Sequence, residues 1–194
     1  ELKKQNKKAL VAYLVAGDPD LDSTLDIMHM LVKSGVDVIE VGVPFTDPIA
    51  EGPIIQRAHD RAITKKTSLL DIYDLITKFR LKDDETPIVL MGYLNSFIFF
   101  RHLIEENKNN SVDSILVVDI PGELNIEDYG IKNENINTIS LISPTTKEER
   151  IKSIANNSSG FIYYVTLRGV TGSSNLNVDE ISQNIKEIKK YAKV

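Results

Sequence analysis

Glu40 stands in the middle of an apolar run, Val36 to Val43 (VDVIEVGV), with Ile39 and Val41 on either side. A carboxylate placed in a buried strand loses its hydration, and leaving it unpartnered costs several kcal/mol. The same desolvation lifts its pKa toward the range where a side chain can both give and take a proton at neutral pH. The alternative for such a residue is a structural carboxylate held by a Lys, Arg or backbone donor, which also perturbs pKa values. The loop that follows reads Pro44-Phe45-Thr46-Asp47-Pro48-Ile49-Ala50-Glu51-Gly52-Pro53. Its three prolines restrict the backbone, and it carries two acids, Asp47 and Glu51. Acids in exposed loops are ordinarily just solvated. With Glu40 they form a set of carboxylates at one strand end, a constellation suited to acid/base work.

Other polar residues also collect where apolar runs stop. Asp18 lies in Gly17-Asp18-Pro19, Tyr93 and Asn95 follow a third run, and Asp119 follows a fourth. Tyr163 and Tyr164 precede the glycine-bracketed stretch Arg168-Gly169-Val170-Thr171-Gly172, a candidate mobile lid or anion contact. The three histidines, His29, His59 and His102, fall in helical patterns away from strand ends, without metal-ligand spacing, and read as surface or packing residues. No GxGxxG and no Walker loop is present, which argues against dinucleotide or P-loop nucleotide binding.

These positions require a scaffold of alternating strands and helices. Strands are expected at Ala9–Ala16, Val36–Val43, Pro87–Tyr93, Val112–Val118, Ile136–Ile142 and Phe161–Thr166. The first helix shows a stripe of Leu25, Met28, Leu31 and Val32, and further helices are expected near Ile54–Lys65, Leu69–Arg80 and Phe97–Glu106. Thr145 and Glu148 stand at capping-box spacing, and a last helix begins after Asn177 with Ile181, Ile185 and Ile188 on one side. Continuously apolar strands fit a parallel sheet covered on both faces. Regular βα repeats leave two architectures, a doubly wound open sheet or a closed (β/α)8 barrel. Six units satisfy the first as they stand and fall two short of the second.

The 194 residues suit one domain with a sizeable core, spanning 1–194 without a linker. A net charge of -5, with basic residues clustered only at Lys3, Lys4, Lys7 and Lys8, gives no nucleic-acid face. The absence of cysteine removes disulfides and thiolate metal sites and suits a reducing, cytoplasmic setting. Apolar runs are strand-length, too short to span a membrane, and no secretory signal opens the chain. The start at Glu1 and the final helix running to Val194 without a following strand suggest a longer parent polypeptide, trimmed at the N-terminus and lacking its seventh and eighth βα units.

At its strand-end loops the chain resembles the tryptophan synthase alpha subunit family. Four stretches carry the likeness: Ala16-Gly17-Asp18-Pro19-Asp20, Ile39–Pro53 (IEVGVPFTDPIAEGP), Pro87–Asn95 (PIVLMGYLN) and Gly160–Gly172 (GFIYYVTLRGVTG). Asp119-Ile120-Pro121 and Ser143-Pro144-Thr145-Thr146 add to it. The resemblance implies a (β/α)8 TIM barrel that cleaves indole-3-glycerol phosphate to indole and glyceraldehyde 3-phosphate in tryptophan biosynthesis. It implies no metal and no organic cofactor for this half reaction; pyridoxal phosphate belongs to the beta-subunit partner of an alpha2-beta2 complex. By position, Glu40 matches the family's general acid/base. Glu51 matches its second catalytic carboxylate, where the family pattern has aspartate, so the charge is kept but displaced by one methylene. Tyr163 matches the tyrosine lining the site near that glutamate. Tyr13, Met91, Leu116 and Val118 match positions that sandwich the indole ring. Thr171, with Gly172 beside it, matches the lid residue that closes onto the loop acid. Leu167 precedes Arg168 where the family carries arginine one position earlier. Pro44 and Asp47 match positions near the beta-subunit interface. The departures at Glu51 and Leu167-Arg168 motivate one alternative, a non-catalytic subunit that only activates a partner; another phosphate-handling barrel enzyme is a further one.

Overall fold

A computed structural model of the chain describes residues 7–107, 111–132, 134–166 and 178–193. Among these described residues six strands run in parallel: β1 (Val11–Val15), β2 (Val38–Gly42), β3 (Ile88–Gly92), β4 (Ser114–Val117), β5 (Asn137–Ile142) and β6 (Ile162–Tyr164). Their order across the sheet is the order of the sequence. A doubly wound sheet reverses its strand order at a switch point. No reversal occurs here, so the architecture left open by the βα repeat is resolved as barrel wall, six of the eight units of a (β/α)8 barrel.

The sheet also curls. Tyr163 on β6 is four strands from Glu40 on β2, roughly 19 Å away if the sheet were flat at about 4.8 Å per strand. Yet its phenol is held above the ordinary tyrosine range by burial and then by the carboxylates of Glu40 and Glu51. Both walls must therefore face one interior.

Alternation along each strand sorts the two faces. Ala12, Leu14, Ile39, Val41, Ile88, Leu90, Ile115 and Val117 point outward into the large core shared with the helices. Inward, Val89, Leu116 and Ile139 form a buried cluster with Val38, Met91, Val118, Leu141 and Phe161 packed on it. Because the period is two, Glu40, two residues on from Val38, faces the interior with this set.

The helices are α1 (Leu21–Lys33), α2 (Pro53–Thr64), α3 (Leu69–Arg80), α4 (Leu94–Phe99), α5 (Arg101–Glu106), α6 (Glu148–Asn157) and α7 (Val178–Ile188). Asp20 caps α1 by accepting from the Ser23 N–H at 2.7 Å. Ser68 and Asp71 form a reciprocal capping box at α3. Two expectations need correction. The helix expected near Phe97–Glu106 is two short ones meeting at Phe100, whose φ of -106° and ψ of 24° leave the helical region. Thr145 does not cap α6, whose N-cap is Lys147; the Thr145 and Thr146 hydroxyls instead bond Ser143, folding the loop after β5 on itself. The polar stretch before β5 holds one 3-10 turn at Ile126–Tyr129. Among the described residues, no helix is long and apolar enough to cross a membrane.

Candidate active site

Glu40 is 4% exposed and one of its carboxylate oxygens, Oε1, is buried with no hydrogen-bond partner among the described residues. The structural alternative, a carboxylate neutralised by a cation or backbone donors, is thus not realised at that oxygen. Burial, and secondarily repulsion from Glu51, pushes its pKa up to about 7. An unpartnered oxygen stays buried at tolerable cost only where the proton can be kept for much of the neutral range. That is also the condition for a group that exchanges a proton with something bound beside it.

Glu51 stands on the loop after β2. It is 6% exposed and burial raises its pKa as well. The loop is held from several sides. The Ala50 N–H donates to the Tyr93 hydroxyl at 3.0 Å, and the Phe45 ring stacks on Tyr93 at 4.6 Å. The Glu51 N–H donates to the Pro48 carbonyl at 3.0 Å, and the Gln56 side chain donates to the Glu51 carbonyl at 2.9 Å. With Pro53 opening α2, the backbone on both sides of Glu51 is fixed, so its carboxylate is aimed rather than tethered.

Tyr13 lies in register with Glu40 on the neighbouring strand. Its hydroxyl rests over Gly42, where an added Cβ would come within 2.3 Å of it, so only glycine fits below the ring. Burial, then Glu51 and Glu40, hold its phenol far above the usual range. Met91 pairs with Leu116, and with Val118 they join the inner apolar cluster. Tyr163, in register with Leu141, completes the opposite wall and is 40% exposed. Two acids, two phenols and an apolar floor thus share one space at the strand ends. Such a space suits a flat aromatic ligand whose reacting atoms need proton transfer and whose developing positive charge needs a nearby carboxylate.

The remaining strand-end residues serve the scaffold. Asp18 takes a two-point bond from Arg61, at 2.6 and 2.8 Å, which ties the loop after β1 to α2. Asp119 accepts the Leu94 N–H at 2.8 Å at the start of α4. Asp47 accepts from the Thr46 hydroxyl. Leu167, Arg168, Thr171 and Gly172 lie outside the described residues. No group of three or more His, Cys, Asp or Glu able to hold a metal ion occurs among the described residues.

One member of the neighbourhood was not legible from sequence. His59, read there as a surface or packing residue, is 2% exposed and sits behind the site. It accepts from the Phe45 N–H at Nδ1 (3.1 Å), and its Nε2 is 3.4 Å from the Tyr13 hydroxyl. The usable signal was the small-residue stripe of Ala58 and Ala62, which brings α2 close to β1 at Val15.

The family model described as "Tryptophan synthase alpha chain" matches residues 1–194. The tryptophan synthase alpha chain of Neisseria gonorrhoeae is 47% identical over 187 residues, covering 95% of this chain and 72% of the relative. That of Nitrosococcus oceani is 45% identical over 193 residues, covering 98% and 71%. The crystal structure of the alpha subunit from Legionella pneumophila superposes with a TM-score of 0.87 at 36% identity, covering all of this chain and 72% of that one. The Pyrococcus furiosus structure, described as a tryptophan synthase a2b2 complex, gives 0.83 at 36% identity over 95% and 75%. With likeness of this extent in both sequence and backbone, the chain belongs to the tryptophan synthase alpha chain family.

Proposed function

We propose that this chain, acting as one barrel domain, cleaves indole-3-glycerol phosphate to indole and glyceraldehyde 3-phosphate in tryptophan biosynthesis. The observation that carries the assignment of roles is the buried Glu40, whose Oε1 has no hydrogen-bond partner among the described residues and whose pKa near 7 is raised by burial and by the buried Glu51 close enough to repel its charge. In the forward reaction a proton is delivered to the indole ring carbon that bears the side chain. The carbon–carbon bond to the glycerol chain then breaks, and its electron pair returns to the ring. The adjacent hydroxyl loses its proton and becomes the aldehyde, so atoms balance with no redox partner. Glu40 serves as the acid, the base, or both in turn. Glu51 accepts the ring N–H and offsets the positive charge that builds there as the ring carbon is protonated. Tyr13, Met91, Leu116 and Val118 hold the ring flat, and Tyr163 closes the wall beside Glu40. Thr171 and Gly172, which lie outside the described residues, are assigned to substrate binding by the resemblance alone. The chemistry needs neither metal nor organic cofactor.

The proposed partner is the beta subunit, in an alpha2-beta2 heterotetramer, reached through the loop bearing Pro44 and Asp47, with pyridoxal phosphate on the partner's side. A cytoplasmic location goes with this biosynthetic role. The test is direct. The protein, with and without a beta subunit, is given indole-3-glycerol phosphate, and indole and glyceraldehyde 3-phosphate are quantified in equal amounts. Stimulation of the partner without any indole release would replace the lyase reading by that of an activating subunit. Turnover of a different phosphorylated substrate alone would replace it by another barrel activity.

A further inference from the structure

We propose that His59 is a positioning residue of the site, a neutral imidazole in one fixed tautomer that couples the Tyr13 ring to the loop bearing Glu51. The inference rests on the lyase reading above. It starts from two contacts made by one buried ring. Nδ1 accepts the Phe45 N–H at 3.1 Å, so Nδ1 carries no proton. The remaining proton of a neutral imidazole is then on Nε2, which faces the Tyr13 hydroxyl at 3.4 Å and donates to it. A doubly protonated ring would lose the Phe45 bond, and burial at this position disfavours the charged form.

What the ring joins is the chemically active part of the barrel. Tyr13 lies beside Glu40 in the register of β1 and β2, and its hydroxyl is pinned above Gly42. Phe45 lies near the start of the loop and stacks on Tyr93, whose hydroxyl accepts the Ala50 N–H one residue before Glu51. A single imidazole, anchored on α2 beyond the loop, thereby sets the separation between the aromatic wall and the second carboxylate. Both contacts are directional: one holds Tyr13, proposed to line the substrate, and the other the backbone of the loop bearing Glu51.

The experiment uses the whole polypeptide. Nitrogen NMR of His59 between about pH 6 and 8 is expected to show a bare Nδ1 and a protonated Nε2 throughout; a proton on Nδ1 overturns the proposal. His59→Leu keeps bulk but removes both bonds, and is expected to lower kcat for indole release about tenfold with much less effect on KM, because the carboxylate is misplaced in the transition state. A folded His59→Leu protein with wild-type kcat overturns it. His59→Gln, which keeps one acceptor and one donor, is expected to recover to within about threefold of wild type; no recovery over His59→Leu overturns it. Failure of the wild type itself to release indole refutes the lyase reading instead, with the tautomer measurement still deciding the bonding at His59.

Discussion

Glu40→Gln separates the chemistry of the barrel from its stability, and the two change in opposite directions. In the folded chain the Glu40 carboxyl titrates at about 7 rather than its ordinary 4.5, chiefly because it is buried and secondarily because Glu51 repels its charge. A raised carboxylate pKa means that the native state holds its proton where the unfolded chain has released it. Stability from this group is therefore complete below about 4.5 and is lost as pH rises through about 7. The difference between 7 and 4.5, at 1.36 kcal/mol per unit, corresponds to roughly 3 kcal/mol once both states are ionised. Glutamine cannot ionise, so the variant is free of this loss at any pH. Its amide brings its own cost at the unpartnered oxygen, about 1–3 kcal/mol, but that cost does not depend on pH. The quantity to measure is thus the variant's stability minus the wild type's, from urea unfolding at about pH 5 and pH 8. It is expected to rise by about 2–3 kcal/mol between the two. Indole release by the same protein is expected to fall by about a thousandfold, within the range attributed to a positioned proton donor. A flat difference between the two pH values would show that Glu40 is solvated, and turnover within tenfold of wild type would show that another group moves the proton.

Four further outcomes follow from particular contacts. Glu51→Ala is expected to reduce kcat/KM about a hundredfold, whereas Glu51→Asp, which retains the charge, keeps it within roughly tenfold; steady-state assay of indole release distinguishes them. Tyr93→Phe removes the acceptor of the Ala50 N–H and is expected to cost about 1 kcal/mol in urea unfolding together with a several-fold loss of kcat/KM. Gly42→Ala forces the Tyr13 ring off the strand, since the new Cβ meets the hydroxyl at 2.3 Å and the ring carbon behind it at 2.7 Å; a raised KM with a folded circular-dichroism spectrum is the expected signature. Arg80→Met strips donors from the Ser111 and Thr86 carbonyls and from Asp113, which itself accepts the Ile88 N–H, and is expected to destabilise by about 1–3 kcal/mol without altering KM.

Much of this molecule was legible in its letters, for a physical reason that also marks where legibility stopped. The periods of the apolar residues specify which segments are strands and helices, and a carboxylate inside VDVIEVGV announces its own desolvation. Both are local properties, carried by a residue and its immediate neighbours. Glu51 and Tyr163 were candidates by their place at strand ends, and family resemblance then supplied their roles and added Tyr13. The βα repeat by itself left barrel against open sheet undecided, because both are built from it; the resemblance implied the barrel, and the unbroken order of β1 to β6 bears it out. The helix break at Phe100 lies in its backbone angles, and Thr145 misses the cap because its hydroxyl bonds Ser143 two residues back, a choice that capping-box spacing does not reveal. His59 went unrecognised because an imidazole in a helical pattern looks the same whether it faces water or, as here, ties Tyr13 to the backbone of Phe45. Long-range partners of that kind are created by folding, when residues 14 and 46 positions apart meet, and no window of sequence contains them.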